Sequence, residues 1–259
     1  MANPSHVLPV PAGAMPSERS YLTEHTFGTI WGAIARIYRT HLLTISLCGL
    51  LPMLPVIALL AYAMAFHESF VLWLYGAVFI VGIVVNGAYT ALLSDICLGN
   101  RPTVARSFAS VFGGWRWLSL LTTAILFMLA VWFGMLLLVV PGCIVMARGV
   151  LCSSVVALEG RRNLEAIKRS FALTKGQAWR IFGLLLPPYL LLMVSSVLGG
   201  FFIGGTAGWE LFWKFFILNA VVNGLFAPTF SITIVLLYYD QRVRREGYDT
   251  QRLAQDLMR

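Results

Sequence analysis

Six apolar stretches, most of them long enough to cross a bilayer, leave this chain little choice of architecture. They run over roughly residues 42–66, 70–93, 117–140, 143–158, 181–203 and 211–239. A hydrocarbon core about 30 Å thick needs about 20 residues of helix at 1.5 Å per residue. The joints between the stretches carry charge unevenly. His67–Ser69, Pro141–Gly142 and Gly204–Glu210 hold no Lys or Arg. Of 19 Lys and Arg residues, only Lys214 lies beside those three joints. The others fall in the N-terminal segment, the Asp95–Arg116 and Glu159–Arg180 joints and the C-terminal tail, or, as Arg148, inside the fourth stretch. Cytoplasmic loops retain Lys and Arg. The pattern predicts an all-α integral membrane protein with six transmembrane helices and both termini cytoplasmic.

Composition agrees. Hydrophobic residues make up 59% of the chain and charged residues 12%, against about 25% charged in soluble domains. The net charge of +8 sits next to the spans, where anionic lipid is its natural partner; nucleic acid is not expected. Residues 1–25 contain four prolines and none of the features of a secretory signal. They read as a disordered cytoplasmic tail, and residues 241–259 read as a cytoplasmic C-terminal tail. Cys48, Cys97, Cys143 and Cys152 form no CxxC pair, so neither a disulfide nor a metal site is expected, and no cofactor is implied.

The membrane domain, residues 26–240, repeats itself. Arg106-Ser107-Phe108-Ala109 followed by Trp115-Arg116 returns as Arg169-Ser170-Phe171-Ala172 followed by Trp179-Arg180. A weaker counterpart spans Phe27 to Arg39. Val84-Val85-Asn86-Gly87 in the second stretch returns as Val221-Val222-Asn223-Gly224 in the sixth, and Arg148-Gly149 falls near the same place in the fourth. Together these predict three hairpins, about 27–95, 104–159 and 164–240, each preceded by an amphipathic interfacial helix. In the first helix Phe27, Ile30, Trp31, Ile34 and Ile37 share a face; in the third, Leu164, Ile167 and Phe171 do so, opposite Lys168, Arg169 and Lys175. Pro52, Pro55, Pro187, Pro188 and Pro228 are expected to kink their spans.

Polar groups at membrane depth are where function is first sought. Counted from Pro141-Gly142, Arg148 lies roughly 9–10 Å below the outer surface at 1.5 Å per residue. With Asn86, Asn219 and Asn223 it forms a candidate intramembrane polar cleft, or a buried clamp that locks the repeats together, the simpler reading; Glu68 and Glu210 at the outer rim could reach an arginine that extends upward. Arg36, Arg39, Arg106, Arg116, Arg169 and Arg180 are candidate lipid-headgroup contacts. Asp95 and Glu159 end two spans beside Arg101 and Arg161-Arg162 and read as interfacial ion-pair anchors. No HExxH, GxSxG, P-loop or GxGxxG occurs, so no catalytic residue and no enzyme activity is expected.

Glu159-Gly160, Glu165-Ala166, Arg169-Ser170, Leu173-Thr174, Gly176, Trp179 and Tyr238-Tyr239-Asp240-Gln241-Arg242 resemble the membrane domain of some bacterial glycerophosphoryl diester phosphodiesterases and its stand-alone YciC-like inner-membrane relatives. The resemblance covers about Phe27 to Leu257. It implies six spans in a bacterial cytoplasmic (inner) membrane; the phosphodiesterase activity of fused relatives belongs to a separate soluble barrel that this sequence lacks. The expected role is a structural or accessory subunit of a membrane complex, or a factor in envelope lipid homeostasis, with anionic membrane lipids and other complex subunits as partners. The alternative is a transporter or permease passing a lipid or small solute between the repeats. Glu165-Ala166, Gly176, Ile181 and Pro187 are superficially similar to the coupling loop of ATP-driven importer permeases, but with the glycine displaced.

Overall fold

The computed structural model describes residues 27–66, 71–204 and 209–246. Tail 1–25, Glu68, Gly208 and residues 247–259 lie outside them, as do the side chains of residues 198–225. Every regular element among the described residues is helical: α1 (Phe27–Phe66), α2 (Val71–Cys97), α3 (Val104–Phe112), α4 (Arg116–Leu137), α5 (Val139–Gly149), α6 (Cys152–Ser154), a π-helical turn at Val155–Glu159, α7 (Asn163–Leu173), α8 (Ala178–Gly204) and α9 (Trp209–Glu246). Three segments, Gly76–Cys97, Arg116–Leu137 and Val139–Glu159, are long and apolar enough to cross a membrane. A fourth joins them if α7 and the Ala178–Val194 part of α8, bent by 102°, count as one span.

α4 shows why lipid rather than water surrounds this fold. Only Ser119, Leu120, Thr123 and Gly134 of its residues are buried, while Trp132, Phe133, Leu136 and Leu137 are 68–84% exposed. Soluble monomers rarely display contiguous apolar surface on that scale.

Short helices precede longer apolar ones: α3 precedes α4 and α7 precedes α8. The first predicted short helix runs into the apolar stretch that follows it: α1 joins two helices across a kink at His41 (φ −120°, ψ 23°), immediately before the predicted start of the first span. Ile30, Ile34 and Ile37 are buried as the periodicity requires, with Arg36 and Arg39 exposed. Their apolar face enters the protein core, where α1 packs on α2 and α9. α7 departs further from expectation. Its buried face is Ala166, Ser170 and Leu173, and Leu164 is 60% exposed. Small and hydroxyl-bearing residues allow α7 to pack closely; Ile167 and Phe171 are half-buried, and only Leu164 of the expected apolar face turns outward.

The turn between the third and fourth stretches also lies elsewhere than expected. The chain reverses at Leu138 (φ −168°, ψ 148°), and Pro141-Gly142 fall within the first turns of α5. A proline there costs nothing, because the first amides of a helix have no intrahelical acceptor. α5 then stops at Gly149, and Val150-Leu151 form a turn before α6, so the fourth stretch is a broken helix.

The core gathers where α2, α8 and α9 approach the short helices. Every residue of α9 from Ser231 to Gln241 is buried. A helix enclosed on all sides must find internal partners for whatever polar groups it carries.

Candidate functional site: a basic cavity at the polar end of the bundle

The last buried turns of α9 meet that requirement by bonding to all three predicted repeats. Tyr239 Oη and Ser94 Oγ of α2 are 2.7 Å apart. Tyr238 Oη donates to Glu159 Oε1 at 3.1 Å. Asp240, fully buried, accepts from Arg180 at 2.8 Å and from Arg244 at 3.1 Å. Gln241 Nε2 donates to Gln177 Oε1 at 2.9 Å. Partners separated by 60 to 145 residues in sequence are thus drawn to one point on α9.

Beside this hub lies a cavity of about 700 Å³. Arg106, Arg116, Arg161, Arg169 and Arg242 line it, against the carboxylates Asp95 and Glu159, for a formal charge of +3. Glu159 ends the π-helical turn, and Gly160 follows in the left-handed region (φ 67°), which glycine adopts without steric penalty. That reversal lets Glu159 accept from Arg161 at 3.0 Å and from Arg169 at 2.9 Å. Arg169 also reaches Glu246 of α9, which Arg242 contacts at 3.3 Å. Partial burial works against the charge of Glu246, but its bonds to Arg169 and then Arg242 prevail and hold its carboxyl below the ordinary range. The same balance, with burial opposed by Glu246 and Glu159, raises the guanidinium of Arg169 above its usual value.

The other wall is built differently. α3 is strongly amphipathic, with Ser107 and Val111 inward and Arg106 exposed at the edge. It ends at Gly113-Gly114; Gly114 (φ 75°) reverses the chain, and α4 begins at Arg116. Two arginines ten residues apart thereby face one cavity. Neither forms an ion pair among the described residues; Arg116 Nη1 makes one long bond, 3.4 Å, to the Ser110 carbonyl. Asp95 is engaged by Asn100 Nδ2 at 3.4 Å rather than by Arg101.

No protein-family model, curated protein or solved structure matches this chain. The chemistry of the site rests on its own residues.

Of the predicted headgroup contacts, Arg106, Arg116 and Arg169 converge on the cavity, although Arg169 is committed to two carboxylates. Arg180 is held by Asp240 and Gln177. Arg36 and Arg39 are exposed on α1, away from the cavity lining.

Of the predicted intramembrane cleft, only Arg148 and Asn86 have side chains among the described residues. Arg148 turns to α7: its Nη2 donates to the Phe171 carbonyl at 3.2 Å, and its guanidinium stacks 4.8 Å from the Phe171 ring. Its own carbonyl, released where α5 stops, accepts from Ser170 Oγ at 2.7 Å and Thr174 Oγ1 at 3.0 Å. Two hydroxyls replace the lost helical bond, as the bilayer interior demands. Asn86 lies in α2 with its carbonyl bonded by Thr90, and no described contact joins it to Arg148. The side chains of Asn219, Asn223 and Glu210 lie outside the described residues.

Tyr238, Tyr239, Asp240 and Arg242 enter the sequence reading only through a resemblance, and Glu246 not at all. Their signal is that an apolar helix closes on five consecutive residues able to hydrogen-bond, so that no face of the helix remains apolar there.

The cavity has the chemistry to hold an anion. Among the described residues, no three metal-ligating side chains are grouped together.

Proposed function

We propose that this chain is a non-enzymatic six-span protein of a bacterial cytoplasmic membrane, with both termini cytoplasmic, that acts in envelope lipid homeostasis or as an accessory subunit of a membrane complex. The observation that carries this reading is the pairing, on one molecule, of an exposed apolar flank on α4 with a cavity of net positive charge at the basic end. A protein so built meets acyl chains on its side and anionic groups at its end. The charge distribution among the joints supports the orientation, and the Tyr238–Arg242 resemblance supports the bacterial inner membrane. Transport through a cleft at Arg148 finds less support, since that side chain and its carbonyl are both engaged with α7.

Two experiments test the reading. A reporter fused after Arg259 is expected to report a cytoplasmic location; an extracytoplasmic signal overturns the orientation. Mass spectrometry of protein purified in mild detergent is expected to find anionic phospholipid, a stoichiometric protein partner, or both. Co-purification with neither removes the basis for this role.

A further inference from the structure

We propose that the cavity between α2, α3, α4 and α9 is a phosphate-binding site, with Arg106 and Arg116 as the residues that hold the phosphoryl oxygens. The inference deepens the membrane reading and rests on it for the setting of the site. Its ligand is a phosphate mono- or diester, presented either by a phospholipid headgroup or by a soluble phosphate compound.

The argument begins with what each cation in the cavity already does. Arg161 and Arg169 are taken by Glu159, and Arg242 bonds Glu246 and the Tyr238 hydroxyl. Arg106 and Arg116 differ from these. Each guanidinium carries five N–H donors, yet the pair makes one long bond, to a backbone carbonyl, among the described residues. Both sit at helix edges exposed to solvent, so neither is there to hold the fold together. The cavity retains a formal charge of +3 even with Asp95 in its wall. Arg116 is also the first residue of the 22-residue α4, whose unpaired amides add positive potential at that end.

Phosphate answers these features better than a carboxylate. A monoester offers three terminal oxygens around a tetrahedral centre and a diester two, so two planar guanidinium forks can approach one phosphate from different sides. The volume of about 700 Å³ fits a polar headgroup, within the roughly 300–1,000 Å³ usual for small-ligand sites. The lining hydroxyls of Ser107 and Ser110 donate to backbone carbonyls instead. The guanidiniums are therefore the donors left to the ligand.

The test uses the full chain in mild detergent. Native mass spectrometry follows titration with phosphatidic acid, phosphatidylglycerol and phosphatidylcholine, and calorimetry follows titration with inorganic phosphate and glycerol 3-phosphate. The wild type is expected to bind one equivalent from either the anionic-lipid or the soluble arm, and the arm that responds names the source. Arg106→Gln with Arg116→Gln is expected to lose about tenfold or more in affinity, the scale of lost charge-assisted hydrogen bonds, at an unchanged unfolding temperature. Arg36→Gln with Arg39→Gln, also exposed but off the cavity, is expected to change affinity less than about twofold, as surface charges act only weakly at a distance. Equal losses in the two double variants, or a wild type that binds neither arm, overturn the assignment. If the cavity double variant does not fold, Arg106→Gln alone carries the test and is expected to show a smaller loss of the same kind. Alkaline carbonate extraction separates the two levels of the argument. Wild type that stays with the membrane but binds no phosphate refutes the site alone; wild type released by carbonate refutes the membrane reading.

Discussion

Ser170 Oγ donates to the backbone carbonyl of Arg148 at 2.7 Å, joining the end of a broken apolar helix to the short helix that follows it. Thr174 Oγ1 bonds the same oxygen at 3.0 Å. The carbonyl freed by the stop at Gly149 is thus met by Ser170 of α7 and by Thr174 just after it, whose one proton is shared with the Ser170 carbonyl at 2.8 Å. Neither hydroxyl carries charge, and their importance comes from the absence of water as an alternative partner.

Removing both donors therefore costs more than removing one. Ser170→Ala alone is expected to lose about 1 kcal/mol, because Thr174 remains; with Thr174→Val added the loss rises to about 2–3 kcal/mol, the cost of stranding a buried acceptor. Thermal unfolding in detergent reads both. Equal stability of the single and double variants would show that the carbonyl is satisfied in some other way.

The Arg148 side chain is a separate matter from its carbonyl. Arg148→Met keeps an apolar stem against Phe171 and gives up one hydrogen bond, whereas Arg148→Ala gives up both contacts. Unfolding temperatures are expected in the order wild type, Met, Ala, with apolar replacement tolerated as it often is for buried charge. Activity lost in a fully stable Arg148→Ala protein would instead return the residue to a transport role.

How much of this the sequence discloses depends on whether a feature is periodic or convergent. The short helices, the interface between the first of them and its span at His41, and the inward Ile30, Ile34 and Ile37 follow from spacing. Arg106 and Arg116 are legible as basic residues near lipid, but their meeting in one cavity depends on Gly114 reversing the chain, and a helical wheel cannot express that. α7 misleads because side-chain size was weighed over fit: its close contact goes to Ala166 and Ser170, and Leu164 is left outside. Arg148 reads as a candidate site from its depth alone; spacing along one helix cannot show that its side chain and its carbonyl both meet the segment around α7.

Asp240 is the most exacting position in the hub. It is fully buried and bonded by Arg180 and Arg244, so Asp240→Asn leaves two cations facing a neutral group. A loss of about 2–3 kcal/mol is expected, below the roughly 3–5 of a deeply buried pair because both arginines keep some contact with solvent. In a double-mutant cycle, Arg180→Gln added to Asp240→Asn should cost far less than Arg180→Gln alone. Strict additivity would mean that the two do not interact.

Glu246 supplies a pH dependence. Its carboxyl is held below the ordinary value of 4.5 by Arg169 and Arg242 despite partial burial. A group with a depressed folded pKa contributes stability that is fully present above its unfolded pKa and fades as pH falls through the lower folded value. The stability difference between wild type and Glu246→Gln is therefore expected to be constant from neutral pH down to about 5 and to shrink below about 4.5. Unfolding temperatures of both proteins across that range check it, and a difference that grows on acidification contradicts the sign.

The close packing of α4 on α5 depends on backbone approach at two glycines. A Cβ on Gly142 would lie 2.8 Å from the Met135 amide nitrogen and 2.6 Å from Met135 Cγ, while one on Gly134 would lie 3.0 Å from Gly142 Cα. Because the first and last of these obstacles are backbone, a rotamer change cannot relieve them. Gly142→Ala is expected to cost about 1–3 kcal/mol as the two helices are pushed apart. Gly32, exposed in α1 with nothing within 4 Å of an added Cβ, is the matched control: Gly32→Ala should be neutral or stabilising by up to about 1 kcal/mol, from helix propensity alone. Unfolding of the two variants side by side separates close approach from backbone entropy, and a neutral Gly142→Ala would mean that α4 and α5 do not meet at that point.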